Sequence, residues 1–153
     1  MITGKYPNLR LRRSRRNNWS RRLIAENNLS ASDFILPIFL TEGKNKIQSI
    51  KSMPHVNRYS INNLGGILDR AIKNKIPMVA LFPHTSIKLK NNLGSESLNE
   101  NNLVCKAIRY IKNRYKDKIG IMCDVALDPY TSHGHDGILK SGYVLNDETI
   151  EIL

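Results

Sequence analysis

Fourteen residues near the end of the chain, Asp124 to Gly137 (DVALDPYTSHGHDG), hold three carboxylates, two histidines, three hydroxyls and two glycines. Asp128 and Asp136 stand eight positions apart, and a loop that folds back at the intervening Gly134 could bring them together. Two carboxylates brought together offer oxygen ligands to a hard cation such as Mg²⁺. They can equally raise one another's pKa and work as an acid/base pair. A third reading is a loop tied down by its own Asx and Ser/Thr hydrogen bonds. Spacing alone leaves all three open, because no helical H-x-x-x-H or E-x-x-H metal motif is present.

The elements that must position this loop are readable from apolar periodicity. The loop leaves an apolar run, Ile119 to Cys123, and Asp124 falls at its end. Polar, glycine-bearing loops at the ends of buried strands are where α/β folds place their chemistry. Two similar runs, Phe34–Leu40 and Met78–Phe82, read as strands buried on both faces, as in parallel sheets. Pro37 is a misfit for a central strand and points to an edge or a bulge. Between the runs, Leu64, Ile67, Leu68, Ala71 and Ile72 mark a helix over residues 60–75, with Ser60 or Asn62 as cap. Leu103, Val104, Ala107, Ile108 and Ile111 mark a second helix. Residues 44–60 and 91–102 read as loops, and Pro83 to Ser86 as a polar loop whose His84 lines a site rather than ligating alone. Asn146–Thr149 reads as the capped start of a third helix.

Strand starts near 34, 78 and 119 give repeated βα units of about forty residues with right-handed crossovers. The fold class expected is therefore α/β: the N-terminal portion of a (β/α)8 barrel with about three strands, since eight such units need roughly twice this length. Residues 31–153 are assigned to this incomplete barrel domain, truncated after its third strand, and residues 1–30 to an extended basic arm.

The net charge of +11 belongs to that arm. Residues 1–22 hold eight of the 24 Lys and Arg and none of the 13 acids, leaving 16 cations against 13 acids, a net +3, for the rest. The run Arg10-Leu11-Arg12-Arg13-Ser14-Arg15-Arg16 could bind nucleic-acid phosphate, trail in solvent, or serve as an oligomerisation arm anchored by Trp19 or Leu23. No nucleic-acid module follows it, which weakens the first. No run of eighteen apolar residues and no secretory h-region occur, so neither a membrane span nor export is expected. Cys105 and Cys123 lack any framework or metal spacing and read as buried free thiols of a cytoplasmic protein.

The segment Asp124–Gly137 resembles the metal-binding region of the 5-aminolevulinate dehydratases (porphobilinogen synthases). In chain order, Arg10–Arg16 resembles that family's R-x-R-R-x-R-R arm, Ile35–Phe39 its L-P-x-F first strand, and Ser52-Met53-Pro54 its S-M-P turn. Ala80–Pro83 and Tyr143–Thr149 match as well. The resemblance implies a (β/α)8 barrel that condenses two 5-aminolevulinate molecules into porphobilinogen with loss of two waters, in haem and tetrapyrrole synthesis. It implies homo-oligomers, usually octamers, built through the arm, which favours the third reading of the basic run over nucleic acid. Zinc-dependent members carry cysteines where this chain has Ala126, Asp128 and Asp136. Two carboxylates and an alanine do not suit Zn²⁺, so Mg²⁺ or a monovalent cation is implied, with Asp128 and Asp136 at the metal positions. Cys123 matches none of the three. Asp124 matches an acid lining the substrate pocket. The family's two Schiff-base lysines have no counterpart in Lys88, Lys90 or Lys140, so the chain alone is expected to be inactive. The alternative is a non-catalytic interaction fragment that binds full-length subunits or, less in keeping with the pattern, nucleic acid.

Overall fold

The computed structural model describes residues 4, 5, 7–9 and 12–153. Arg10 and Leu11 of the basic run lie outside the described residues. The chain divides into two compact units, Met1–Ser30 and Ala31–Leu153. The first unit carries a 3₁₀ turn, Arg13–Arg15, and a short helix α1, Asn18–Leu23. Arg21 reaches back to donate to the carbonyls of Arg15 and Arg16 at 3.0 and 3.3 Å. Trp19 and Leu23 stay 62% and 78% exposed.

The second unit is built on a five-stranded sheet, in the order β2-β3-β1-β4-β5. Its centre is β1 (Ile35–Thr41), paired in parallel over its whole length with β4 (Met78–His84), which in turn pairs in parallel with β5 (Gly120–Cys123). These are the three expected strands. Helices α2 (Leu64–Lys73) and α3 (Leu103–Tyr115) are the two expected crossovers.

Alternation along the strands divides the sheet into two faces. One face sets Ile38 beside Leu81, and Val79 beside both Leu36 and Ile121. Ile38, Leu40, Val79 and Leu81 are fully buried against Leu64, Leu68 and Ala71 of α2 and Val104, Ala107 and Ile111 of α3. This is the core, and each large side chain in it contributes about 1.5–3 kcal/mol by leaving water. The other face carries Ile35, Pro37, Phe39 and Thr41 of β1 beside Met78, Ala80, Phe82 and His84 of β4. It is not buried to the same degree: Ile35 is 45% and Met122 43% exposed. The expectation of strands buried on both faces therefore holds on the helix side only.

Several local expectations are corrected. Residues 44–60 are not simply loop, because β2 (Ile47–Ser49) and β3 (Asn57–Tyr59) form an antiparallel pair and β3 adds in parallel to β1. Three-residue strands of polar composition carry too little alternation to be seen. The β1–β3 pairing involves only Phe39 and Leu40, so Pro37 precedes it and no ladder donor is demanded of the proline on that side. Ser60 does not cap α2. It is fully buried, its Oγ accepts the Lys46 amide at 2.9 Å, and the helix is entered through a 3₁₀ turn, Ile61–Asn63. Gly65 and Gly66 fall in the first turn of α2, where the Gly65 carbonyl accepts the Tyr115 hydroxyl at 3.2 Å; the same hydroxyl donates to Asp69 at 2.9 Å and ties α3 to α2. The N-cap that does work is Asn102, whose side chain accepts the Cys105 amide at 2.8 Å. Both cysteines are free but half-buried rather than buried.

A hairpin escaped the periodicity altogether. Strands β6 (Ile138–Lys140) and β7 (Tyr143–Leu145) pair across Ser141-Gly142, both at positive φ, and lead into α4 (Asn146–Ile150). Asn146 is the first helical residue, not its cap. Thr149 pins the hairpin, its Oγ accepting the Ile138 amide at 2.9 Å and donating to the Leu145 carbonyl at 2.6 Å. Gly137 passes so close that a Cβ there would stand 2.5 Å from that Oγ and 2.7 Å from Val144. Gly137→Ala is therefore expected to destabilise the chain by about 1–3 kcal/mol. The urea midpoint followed by circular dichroism checks it, and an unchanged midpoint would refute the close packing.

Candidate active-site cleft

The loop after β5 is anchored by its apolar residues. Leu127 is fully buried, and its carbonyl accepts the amides of both Tyr130 and Thr131 at 2.9 Å, forming one tight turn. Tyr130 and Thr131 are buried as well, and burial pushes the Tyr130 phenol up to about 12. This turn leaves Asp128 at the surface of the unit while its neighbours hold it down.

A second loop clamps the first. The Asn91 carbonyl accepts the Ser132 amide at 3.0 Å, and the Asn91 amide donates to the Tyr130 carbonyl at 3.3 Å. Asn92 takes the Ser132 hydroxyl on its side chain, and its carbonyl lies 3.3 Å from Nε2 of His133. Nδ1 of His133 accepts the His135 amide at 3.2 Å, which places the proton of a neutral imidazole on Nε2, facing Asn92. Asn91 itself is held by the amides of Leu93 and Ser95 at 3.0 and 3.2 Å. Gly94, at φ +62°, fits because a Cβ would already touch Thr131 at 3.4 Å. Sequence reading placed residues 91–102 as loop without seeing that they hold the site. The signal was there in Asn91-Asn92-Leu93-Gly94-Ser95, a set of Asx-turn formers around a glycine.

The sequence-predicted site residues separate. Asp128 lines a cleft of about 970 Å³ that opens over the C-terminal ends of β1 and β4. Asp124, one residue past β5, is exposed and does not line it; neither do Asp136 and Ala126. The three carboxylates nevertheless interact: burial pushes the Asp128 carboxyl above its ordinary range, and Asp136 and Asp124 push it further. Among the described residues, no group of three or more His, Cys, Asp or Glu side chains is placed to hold a metal ion. Cys123 belongs to the helix-facing row, beside Leu81, and burial raises its thiol pKa. His84 lines the cleft, as expected, at the end of β4 rather than in a loop.

The remainder of the lining was not read from the sequence. One row of register partners runs across the sheet from Gln48 through Arg58 and Phe39 to Phe82, and all four line the cleft. The Phe39 and Phe82 rings lie 5.6 Å apart. Lys46 and Lys90 complete the basic lining, and Lys90 donates to the Asp128 carbonyl at 3.3 Å.

Parallel strands joined by helices, with a polar cleft over the strand C-termini and an acidic loop at its rim, are the arrangement found in a wall of a (β/α) barrel. The family described as delta-aminolevulinic acid dehydratase matches residues 8–153. The chain is 50% identical over 145 residues to the delta-aminolevulinic acid dehydratase of Bradyrhizobium diazoefficiens, covering 95% of this chain and 41% of that protein. It is 42% identical to that of Chlamydia pneumoniae, over 94% of this chain and 43% of the relative. The crystal structure of the Toxoplasma gondii ME49 enzyme, a delta-aminolevulinic acid dehydratase (porphobilinogen synthase) bound to its reaction product porphobilinogen, superposes with a TM-score of 0.86 at 36% identity. That match covers 94% of this chain and 41% of the Toxoplasma chain. The chain belongs to the delta-aminolevulinic acid dehydratase family, spans about two fifths of the length of these relatives, and forms part of their barrel.

The raised pKa of Asp128 has a consequence for stability. A carboxyl whose folded pKa lies above its unfolded value favours the fold when protonated, and that contribution is lost as pH rises through the folded value. Asp128→Asn is therefore expected to raise the melting temperature at pH 7 and to leave it nearly unchanged near pH 3. Calorimetry at the two pH values checks this; equal shifts at both would mean that ionisation of Asp128 is not the cause.

Proposed function

We propose that this chain is the N-terminal part of a porphobilinogen synthase, a lyase, and supplies one wall of the pocket in which two 5-aminolevulinate molecules condense to porphobilinogen with loss of two waters. The observation that carries this is the placing of Asp128, on the loop leaving β5, at the rim of a cleft over strand C-termini in a chain of this family. Asp128 and Asp136 are the residues we assign to a hard cation, Mg²⁺ or a monovalent ion. The support is that burial, then Asp136 and Asp124, disfavours the charged form of Asp128, a penalty a bound cation would relieve. Asp124 is assigned to the same acidic cluster, outside the lining of the cleft.

The Schiff-base step needs a lysine desolvated among packed neighbours. Lys88 and Lys140 are exposed, and Lys90 is engaged with the Asp128 carbonyl. None of the three fits that role, so the 153 residues assayed alone are expected to form no porphobilinogen. We further assign the first unit to homo-oligomer assembly. Its short helix presents the exposed Trp19 and Leu23 beside the arginines, a composition suited to anchoring on a protein surface. The half-buried free thiols are in keeping with a reducing cytoplasm, and no helix among the described residues is long and apolar enough to cross a membrane.

Two measurements test the reading. Incubating the purified chain with 5-aminolevulinate and Mg²⁺ should yield no porphobilinogen above background; turnover at ordinary enzyme rates would show that the lysine assignment is mistaken. Titrating Mg²⁺ by calorimetry should give millimolar binding to the native chain that is weakened about tenfold in Asp128→Asn, as expected for loss of a charged ligand. Unaltered binding would remove Asp128 from the cation site.

A further inference from the structure

The arginine run of the first unit has a single hydroxyl at its centre. Ser14 sits between Arg12-Arg13 and Arg15-Arg16, in the middle of the 3₁₀ turn Arg13–Arg15, and all five residues are exposed. None of the four guanidiniums has a carboxylate partner among the described residues. The one acid within residues 1–30 is Glu26, ten positions beyond Arg16. The turn itself is slight. The Arg15 and Arg16 amides donate to the Arg12 and Arg13 carbonyls at 3.0 and 3.2 Å, and Arg21 adds its two bonds to the Arg15 and Arg16 carbonyls. A three-residue 3₁₀ turn in solvent costs little to open, so the segment can be drawn out along a partner's groove. The neighbouring serines differ. Ser20 is 6% exposed and its Oγ donates to the Asn17 carbonyl at 2.9 Å, while Ser30 stands eight positions from the nearest arginine, Arg22.

We propose that Ser14 is a phosphorylation site, modified by a serine kinase whose acidic substrate groove reads the flanking arginines. A groove lined with carboxylates is attracted to four uncompensated guanidiniums and rejects segments that carry acids of their own. The step is phosphoryl transfer from a nucleoside triphosphate. A bond forms between Ser14 Oγ and the γ-phosphorus, and the bond from that phosphorus to the β–γ bridging oxygen breaks. Nucleoside diphosphate leaves, and the hydroxyl proton passes to the kinase's catalytic base. The product places about two negative charges amid the arginines. Arg12, Arg13, Arg15 and Arg16 all lie within two positions of it, and a guanidinium meets phosphate through two parallel N–H bonds. Arg21 is a fifth partner, because its guanidinium already lies at the carbonyls of Arg15 and Arg16, beside the modified residue. The phosphate draws it off those carbonyls and so loosens the tie between the turn and α1. The inference goes beyond the assembly role proposed above and holds whether or not the unit serves assembly.

The full 153-residue chain is incubated with MgATP and the catalytic subunit of the cyclic-AMP-dependent kinase, an arginine-directed enzyme. An acid-directed serine kinase serves as control. Mass spectrometry of proteolytic fragments should place one phosphoryl group on Ser14 and none on Ser20 or Ser30. Ser14→Ala should abolish incorporation, and the double change Arg12→Ala, Arg13→Ala should lower kcat/KM about tenfold. These positions lie outside the hydrophobic core, so the variants are expected to keep the circular dichroism of the native chain. Phosphorus NMR then reads where the phosphate sits. A solvated phosphoserine has its second ionisation at about pH 6. Guanidiniums favour the dianion, so the midpoint in the modified chain should fall by about half a pH unit. Arg21→Gln should return part of that fall. The inference is overturned if Ser14 stays unmodified, if other serines are modified as fast, or if the acid-directed kinase does equally well. A midpoint at the solvated value, unmoved by Arg21→Gln, would overturn the arginine cradle.

Discussion

The in-register parallel pairing of β1 with β4 is the constraint on which the rest depends. Seven consecutive partners, from Ile35 with Met78 to Thr41 with His84, fix which residues share a face. A slip of one position would send Ile38, Leu40, Val79 and Leu81 away from α2 and α3 and put Phe39 and Phe82 among them. The same register that buries the core therefore assembles the cleft. Arg58 reaches it because β3 adds to β1 at Phe39, and Thr85 reaches it because β4 carries on to His84. Core and site are opposite sides of one alternation, so packing against the helices indirectly sets the geometry of the polar groups.

The loop after β5 relies on a different principle. Little of it is in regular structure, and its position comes from side chains and loop carbonyls: Leu127 as a buried peg, Asn91 and Asn92 as the clamp, Gly94 as the point of closest approach. Such an arrangement keeps Asp128 partly removed from water and near Asp136 and Asp124, all of which disfavour its charge. That cost is carried by the buried turn and its hydrogen bonds, and a loop selected only for stability would have no reason to bear it.

Legibility followed the length and apolarity of each element. Long apolar runs at strand or helix period, such as Met78–Phe82 and the Leu103–Ile111 face, gave β4 and α3 directly, and three such runs pointed to a barrel wall. The short strands β2, β3, β6 and β7 were invisible to periodicity, being three residues each and partly polar, although Ser141-Gly142 between two apolar triplets was a hairpin signal. In the site, Asp128 was readable because its loop concentrates reactive types. Arg58 was not, since a single arginine in Val56-Asn57-Arg58-Tyr59 carries no spacing signal; its position is created by pairing with Phe39, nineteen residues earlier. The placement of Asp124 away from the cleft was equally unreadable, because it follows from the turn made after β5 and not from strand parity.

These two halves of the site have opposite electrostatic character. Burial, then the neighbouring Asp136 and Asp124, raises the pKa of Asp128, while burial, then Arg58, lowers that of His84. Lys90 acts on both groups and donates to the Asp128 carbonyl: it opposes the rise at Asp128 and adds to the lowering at His84. The Phe39–Phe82 pair lines the same cleft, so groups of both charge signs and an apolar surface meet in one opening.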